Sequence, residues 1–211
     1  MPEEVSDNRV ESGLLLNDFI EEMPWDKYPI IIAGGSFNND THITRTKEGG
    51  RRIIRDLLNQ LNKDEVFFVI GDGKSGYERY LVDNNRGFDI YTVVPAVISR
   101  NEKEYFFRNR LKAVISTEVN RMGLYKSFNY EIFERRESVL IAFDGNSAVL
   151  NLIQEARNGK GKAKIFASSH SKSLKNKAES LKGYIRLFDW NDDIVSSIKD
   201  TVAQASKQEL Q

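Results

Sequence analysis

The chain has 211 residues, with 31 basic and 31 acidic side chains, a formal net charge of zero and 40% hydrophobic residues, enough to bury one substantial core. The even balance lacks the basic footprint of a protein held by nucleic-acid phosphates, which argues against a nucleic-acid partner. The absence of cysteine excludes disulfides, thiolate chemistry and Cys-based zinc sites. No apolar run is long enough to span a bilayer, and Met1-Pro2-Glu3-Glu4 opens no secretory signal, so the expectation is a cytoplasmic protein without a membrane partner.

Residues 1–12 are polar and expected to fray, while Leu14, Leu15, Leu16, Phe19 and Ile20 suggest a short docking helix ending before Pro24. Tyr28 to Ala33 is a continuous apolar run that stops at Gly34-Gly35-Ser36, which reads as a buried strand meeting a glycine turn. Ile53, Ile54, Leu57, Leu58 and Leu61 recur at helical spacing over about residues 46–62. A strand at 66–70, a helix carrying Tyr77, Tyr80 and Leu81 on one face, and a strand at 88–94 follow. Tyr105, Phe106, Phe107, Leu111, Val114 and Ile115 fit a helix with Gly123 as its stop, and a second helical piece runs from Phe128 to Arg136. Strands at 138–143, 164–167 and 184–188 alternate with helices around 147–158 and 171–181, and a last helix is capped near Asn191 or Asp192.

This alternation predicts an α/β fold: a Rossmann-like three-layer sandwich, its mainly parallel sheet of five to six strands covered by helices on both faces. One domain spans 1–211, with a core at 29–167, a docking segment at 1–28 and a C-terminal extension at 168–211. Ligands of such sheets bind beyond the carboxyl ends of the strands. His42 and His170 stand far apart in polar stretches and read as surface residues, and no metal site is assigned. The lysines at 160, 162, 164, 172, 175 and 177 read as a solvated face.

Val66 to Glu78 carries the strongest functional signal. A buried strand opens into Gly71-Asp72-Gly73-Lys74-Ser75-Gly76 and then a helix, a junction where backbone can approach a ligand and unpaired N–H groups point at an anion. Gly73-Lys74-Ser75 shares the last letters of a Walker A loop, but the required first glycine falls at Phe68, so the motif is absent.

The ordered strand ends resemble the SLOG superfamily of Rossmann-like proteins, in particular its YspA-like branch, with the Lonely-Guy phosphoribohydrolases and DNA-processing protein A as more distant relatives. The resemblance covers about residues 29–167. It rests on Ile31 to Phe37, on Gly71 to Glu78 beside the family's Ser-Gly-Gly-Ala-x-Gly-Ala-Asp, on Thr92 to Ala96, and on Leu140 to Ser147 beside its Leu-Ile-Ala-Phe-x-Asp-Gly-x-Ser. Asn129 stands for the asparagine of the family's Arg-Asn pair, with Phe128 in place of the arginine and Arg108-Asn109-Arg110 as a rival. Glu78 replaces an aspartate, and the Pro-Gly-Gly-x-Gly-Thr motif of the Lonely-Guy enzymes is missing.

What the resemblance implies is a pocket for a nucleotide or nucleotide-derived ligand. Gly34, Gly35, Gly71, Gly73 and Gly76 would give close backbone approach, Ser36 and Ser75 hydroxyls, and Lys74 a charge for phosphate. Asn129, Gly145 and Ser147 complete the set. Glu78 or Asp144 would hold ribose hydroxyls, because a carboxylate accepts two hydrogen bonds from vicinal OH groups. Asp72 sets a carboxylate among these glycines, which repels an anion unless Lys74 or Mg²⁺ intervenes, and no other cofactor is evident. A second reading is a nucleoside-monophosphate N-glycoside hydrolase using Glu78, Asp144 and Asp72. A third is single-stranded DNA binding. Assembly into a homo-oligomer is compatible with all three.

Overall fold

The computed structural model describes residues 10–12, 16–34, 46–71, 73–95, 100–109, 111–116 and 121–208. In chain order its elements are β1 (Val10–Ser12), α1 (Leu16–Glu21), β2 (Tyr28–Ala33), α2 (Glu48–Gln60), β3 (Val66–Val69), α3 (Gly76–Asp83), β4 (Ile90–Pro95) and α4 (Arg100–Arg108). Then follow β5 (Lys112–Ser116), α5 (Arg121–Arg135), β6 (Val139–Ala142), α6 (Ser147–Asn158), β7 (Lys164–Ser168), α7 (Lys172–Ser180), β8 (Ile185–Phe188) and α8 (Ile194–Gln208).

The eight strands among the described residues form one parallel sheet in the order β1-β5-β4-β3-β2-β6-β7-β8. The chain winds outward from β2 to β5, returns to the other side of β2 at β6, and winds outward again to β8. The strand order reverses between β2 and β6, and doubly wound sheets hold ligands beyond the carboxyl ends at such a reversal.

Central strands are buried on both faces, which explains their continuous apolar runs. Ile30, Ile32, Phe68 and Ile141 pack with Ile54 and Leu57 of α2, Leu81 of α3 and Ile198 of α8. Ile31, Phe67 and Leu140 pack with Phe19 of α1, Phe128 and Ile132 of α5, Leu152 and Ile153 of α6 and Leu174 of α7. The helices thus cover both faces, giving the three layers expected.

The C-terminal residues belong to the same sheet: β8 pairs with β7 from Ile185↔Ile165 to Phe188↔Ser168, and α8 packs on α2. Its cap is Asp193, one residue beyond the expected pair, whose carboxylate accepts from the Ser196 N–H (3.1 Å) and hydroxyl (2.6 Å).

Two strands lie where the sequence pattern suggested otherwise, and they widen the sheet. The expected helix through Val114 and Ile115 ends at Arg108, where Leu111 N–H bonds back to Phe106 O (3.0 Å), and Lys112–Ser116 pairs with β4 as β5. Apolar residues at 106, 107, 111, 114 and 115 satisfy a helical period, but β-branched Val114 and Ile115 favour the pleated neighbour that tertiary pairing supplies. Gly123 is no stop; it lies inside the first turn of α5. Residues 10–12, expected to fray, are held as β1 by parallel pairing with β5, Val10 opposite Ala113. Leu14 and Leu15 lie outside the described residues.

Candidate functional site

Three strand ends converge at the reversal: β3 runs into Gly71, β2 into Gly34, and β6 into Phe143-Asp144-Gly145. Glu78, in the first turn of α3, sits between the first two. It is 3% exposed, its Oε1 accepting from the Gly34 N–H (3.4 Å) and its Oε2 from the Gly73 N–H (3.3 Å). The Tyr77 N–H donates to Gly34 O (3.1 Å) and the Phe143 N–H to Ala33 O (2.8 Å). One helical turn therefore ties the β2 end to the β3 end, while β6 is tied to the same point from the other side.

The β3 turn is fixed on its second flank. Thr92, fully buried on β4, donates its hydroxyl to Gly71 O, and the Tyr105 hydroxyl of α4 donates to Gly73 O (2.6 Å). Gly73 has φ +65°, and a Cβ there would lie 2.7 Å from Ile70 Cδ1, so the position calls for glycine on both conformational and steric grounds. Gly76, also at positive φ, opens α3, and Ser75 holds the N-cap position in extended backbone. Lys74 and Ser75 are half-buried beside this turn.

At the β6 end, Asp144 Oδ1 accepts from the Gly145 N–H (2.8 Å), and Asn146 rather than Asp144 caps α6, its Oδ1 accepting from the Val149 N–H (2.9 Å). Ser173 of α7 donates to Gly145 O (2.7 Å), and a Cβ on Gly145 would meet that hydroxyl at 2.3 Å. Ser147, the first residue of α6, is exposed.

An aromatic stack runs outward from the core beside these strand ends. Tyr77 stacks on Phe143 (4.6 Å between centroids, 21° between planes), Phe143 on Trp190 (6.4 Å, 17°), and Trp190 on His170 (4.5 Å, 5°). Burial lifts the Tyr77 phenol above its ordinary range; the Lys47 N–H, which donates to its oxygen at 2.9 Å, and Arg51 act in the opposite direction, while Asp144 adds to the rise. Gly49 and Gly50 of α2 make room for the stack. A Cβ on Gly49 would lie 2.3 Å from Trp190 Cβ, and one on Gly50 2.4 Å from Tyr77 Cε1.

The structure brings Gly34, Gly71, Gly73, Gly76, Lys74, Ser75 and Glu78 together around two neighbouring strand ends, with Asp144, Gly145 and Ser147 at the third. Gly35, Ser36 and Asp72 lie outside the described residues. None of the described hydrogen bonds joins Asn129 to the strand-end residues. It is fully buried in the middle of α5, its Nδ2 donating to Tyr125 O (2.8 Å) along its own helix, and its Oδ1 has no hydrogen-bond partner among the described residues. The rival Asn109 follows α4 just before β5 begins, at the opposite end of the sheet, bonded to Tyr105 O (2.8 Å).

Sequence reasoning missed Trp190 and the Gly49-Gly50 pair. A signal was available: two glycines in the first turn of an otherwise well-patterned helix are unfavourable by about 1 kcal/mol each relative to alanine, and so imply a close neighbour. His170 is exposed as expected, yet it also stacks on Trp190 and pairs with Asp189 (Nε2 to Oδ2, 3.2 Å). A separate groove of about 470 Å³ lies at the start of β7 and β8, lined by Lys164, Phe166, Tyr184, Arg186, Ser197 and Thr201. Lys164 there bonds Thr201 (3.2 Å) and Glu137 (3.4 Å), and Arg186 bonds Ser197 (2.9 Å), so its charges are neutralised or engaged within the chain.

The architecture is that of an α/β protein of the Rossmann-like type, with its strand order reversing between β2 and β6. Two solved structures of the molybdenum cofactor carrier protein from Chlamydomonas reinhardtii are similar to this chain, at TM-scores of 0.55 and 0.52 and identities of 16% and 15%, each alignment covering 84% of this chain and 99% of that one. DNA processing protein A from Helicobacter pylori, whose structure concerns single-stranded DNA binding, is similar at a TM-score of 0.55 and 11% identity over 89% of this chain and 83% of that one. At these identities the likeness is one of fold. No protein-family model matches the chain, and neither does any curated protein.

Proposed function

We propose that the chain binds a nucleotide or nucleotide-derived small molecule in the crevice beyond β2, β3 and β6, as a binding protein of SLOG type close to the YspA-like branch. The observation that carries this reading is Glu78. Its carboxylate is buried with both oxygens engaged by backbone N–H groups of the two glycine turns, so it acts as a bracket that shapes the crevice. A general acid or base needs access to the reacting atoms. Asp144, half-buried at the third strand end, would hold ribose hydroxyls, and the charge of Lys74 beside the start of α3 would suit the phosphate. The fold neighbours support ligand holding in general, one being named a carrier of a cofactor and the other a binder of single-stranded DNA. The neutral net charge favours the small molecule over the strand.

The test is calorimetric titration with adenosine and guanosine monophosphates, followed by chromatography of the mixture for released base. Binding without free base is expected, and Asp144→Asn should weaken it by about 1–3 kcal/mol, the scale of a hydrogen bond to a charged group. Accumulating base that disappears in Glu78→Gln would replace this reading by the hydrolase.

A further inference from the structure

Trp190 occupies an unusual setting for a surface indole. Its Cβ and ring lean on the backbone of Gly49, where any side chain would collide at 2.3 Å. Its carbonyl accepts from the Arg52 guanidinium, and Phe188 meets its ring edge-on at 5.9 Å. Phe143 stacks toward it from the buried side. The indole is thus held by α2 and by the β6 and β8 ends, as a rigid plane. Its outer covering is different. His170 lies flat on it at 4.5 Å and 5°, and the polar contact that holds that imidazole is with Asp189, the two side chains 43% and 51% exposed. A fixed aromatic plane under an exposed, replaceable one is the arrangement on which a planar heterocycle stacks with little ordering cost.

We infer that Trp190 is the stacking platform for the ring of the ligand, a purine-sized heteroaromatic group, which takes the place of His170 over the indole. The inference rests on the proposed nucleotide site and adds the chemistry of its second half. Trp190 lies 6.3 Å from Tyr77, whose own N–H is bonded to Gly34, so one nucleotide-sized molecule reaches both the glycine turns and the platform. Ring stacking then supplies recognition that tolerates different bases, because each has a π face. His170 acts as a competitor whose removal raises the fraction of chain ready to bind.

The experiment uses Trp25→Phe, which leaves Trp190 as the sole indole of the two in the chain, titrated with adenosine monophosphate and with ribose 5-phosphate while heat and fluorescence are both recorded. The nucleotide is expected to release heat and quench Trp190, and ribose 5-phosphate to bind at least roughly fivefold more weakly with no quench. The same nucleotide titration on Trp190→Phe, which keeps a ring against Gly49 and leaves Trp25 as reporter, should show no quench. His170→Ala should bind the nucleotide at least about twofold more tightly. Heat without a change at Trp190, equal quenching by ribose 5-phosphate, or unchanged or weaker binding by His170→Ala would each overturn the platform while leaving the nucleotide site intact. No heat with either probe would overturn the nucleotide site and the platform with it.

Discussion

The two ends of the sheet are built from different materials. At the amino ends, Asp89, which precedes β4, receives Lys27 from beside β2 (3.1 Å) and Lys112 from β5 (3.0 Å), and Lys112 also donates to Tyr91 OH (3.2 Å). Charges there are paired across strands, and the role is to close the fold. At the carboxyl ends, the strands run into glycine turns, a buried glutamate braces two of those turns, and an aromatic stack runs from Tyr77 outward to His170. The contrast is one of means: one end pairs its charges across strands, while the other ties glycine turns to a buried carboxylate and stacks rings against them.

The largest expected effect comes from removing the centre of the aromatic stack. Phe143→Ala should destabilise the fold by about 3–5 kcal/mol, the cost of deleting a buried phenylalanine, read by chemical denaturation with an unchanged slope. A loss below about 1 kcal/mol would mean that the stack is loosely packed and the carboxyl end less organised than described.

Bracing by Glu78 is next. Glu78→Gln keeps one acceptor and sets an amide N–H against a glycine N–H, so stability should fall by about 1–3 kcal/mol, together with weaker nucleotide binding. Unchanged stability would return Glu78 to a role outside the bracket. Gly50→Ala sharpens the same point, because its helix gain of about 1 kcal/mol opposes an overpacking cost of about 1–3 kcal/mol against Tyr77. A net loss of about 1 kcal/mol is expected, and a gain in melting temperature would show that Tyr77 gives way without cost.

The smallest effect belongs to the amino end. Burial works to raise the Asp89 carboxyl, but the hydrogen bonds and charges of Lys112 and Lys27 more than offset it and hold it below the ordinary carboxylate range. A folded-state value below the unfolded one of about 3.9 gives stability that is fully present above that pH and is lost as pH falls through the folded value. Asp89→Asn should therefore lose about 1 kcal/mol near neutrality, and the two proteins should converge as pH drops below about 4. Nucleotide affinity should be unaffected, and a parallel loss would blur the division between the two ends.

Most of the layered fold was legible because parallel strands buried on both faces leave continuous apolar runs, as at Tyr28 to Ala33 and Val139 to Phe143. The edge was not. Val10-Glu11-Ser12 has no apolar pattern and becomes a strand only by pairing with β5, and β5 itself carries apolar spacing that also fits a helix. Within the site, Gly34, Gly73 and Glu78 were readable from glycine turns at strand ends, since a turn residue advertises itself locally. What Glu78 touches was not, because its partners are a glycine 44 residues earlier and one five residues earlier. Trp190 stayed hidden for the same reason: its meaning lies in contact with Gly49, on the far side of the reversal.

The central claim is that ligand sits at the carboxyl ends of β2, β3 and β6. Amide hydrogen exchange, measured with and without saturating adenosine monophosphate, tests it most directly. The account predicts slowed exchange in the peptides containing Gly34, Gly71 to Glu78 and Phe143 to Ser147, and none in those around Lys27, Asp89 and Lys112. Protection confined to the groove between Lys164, Arg186 and Thr201, or none at all, would contradict it.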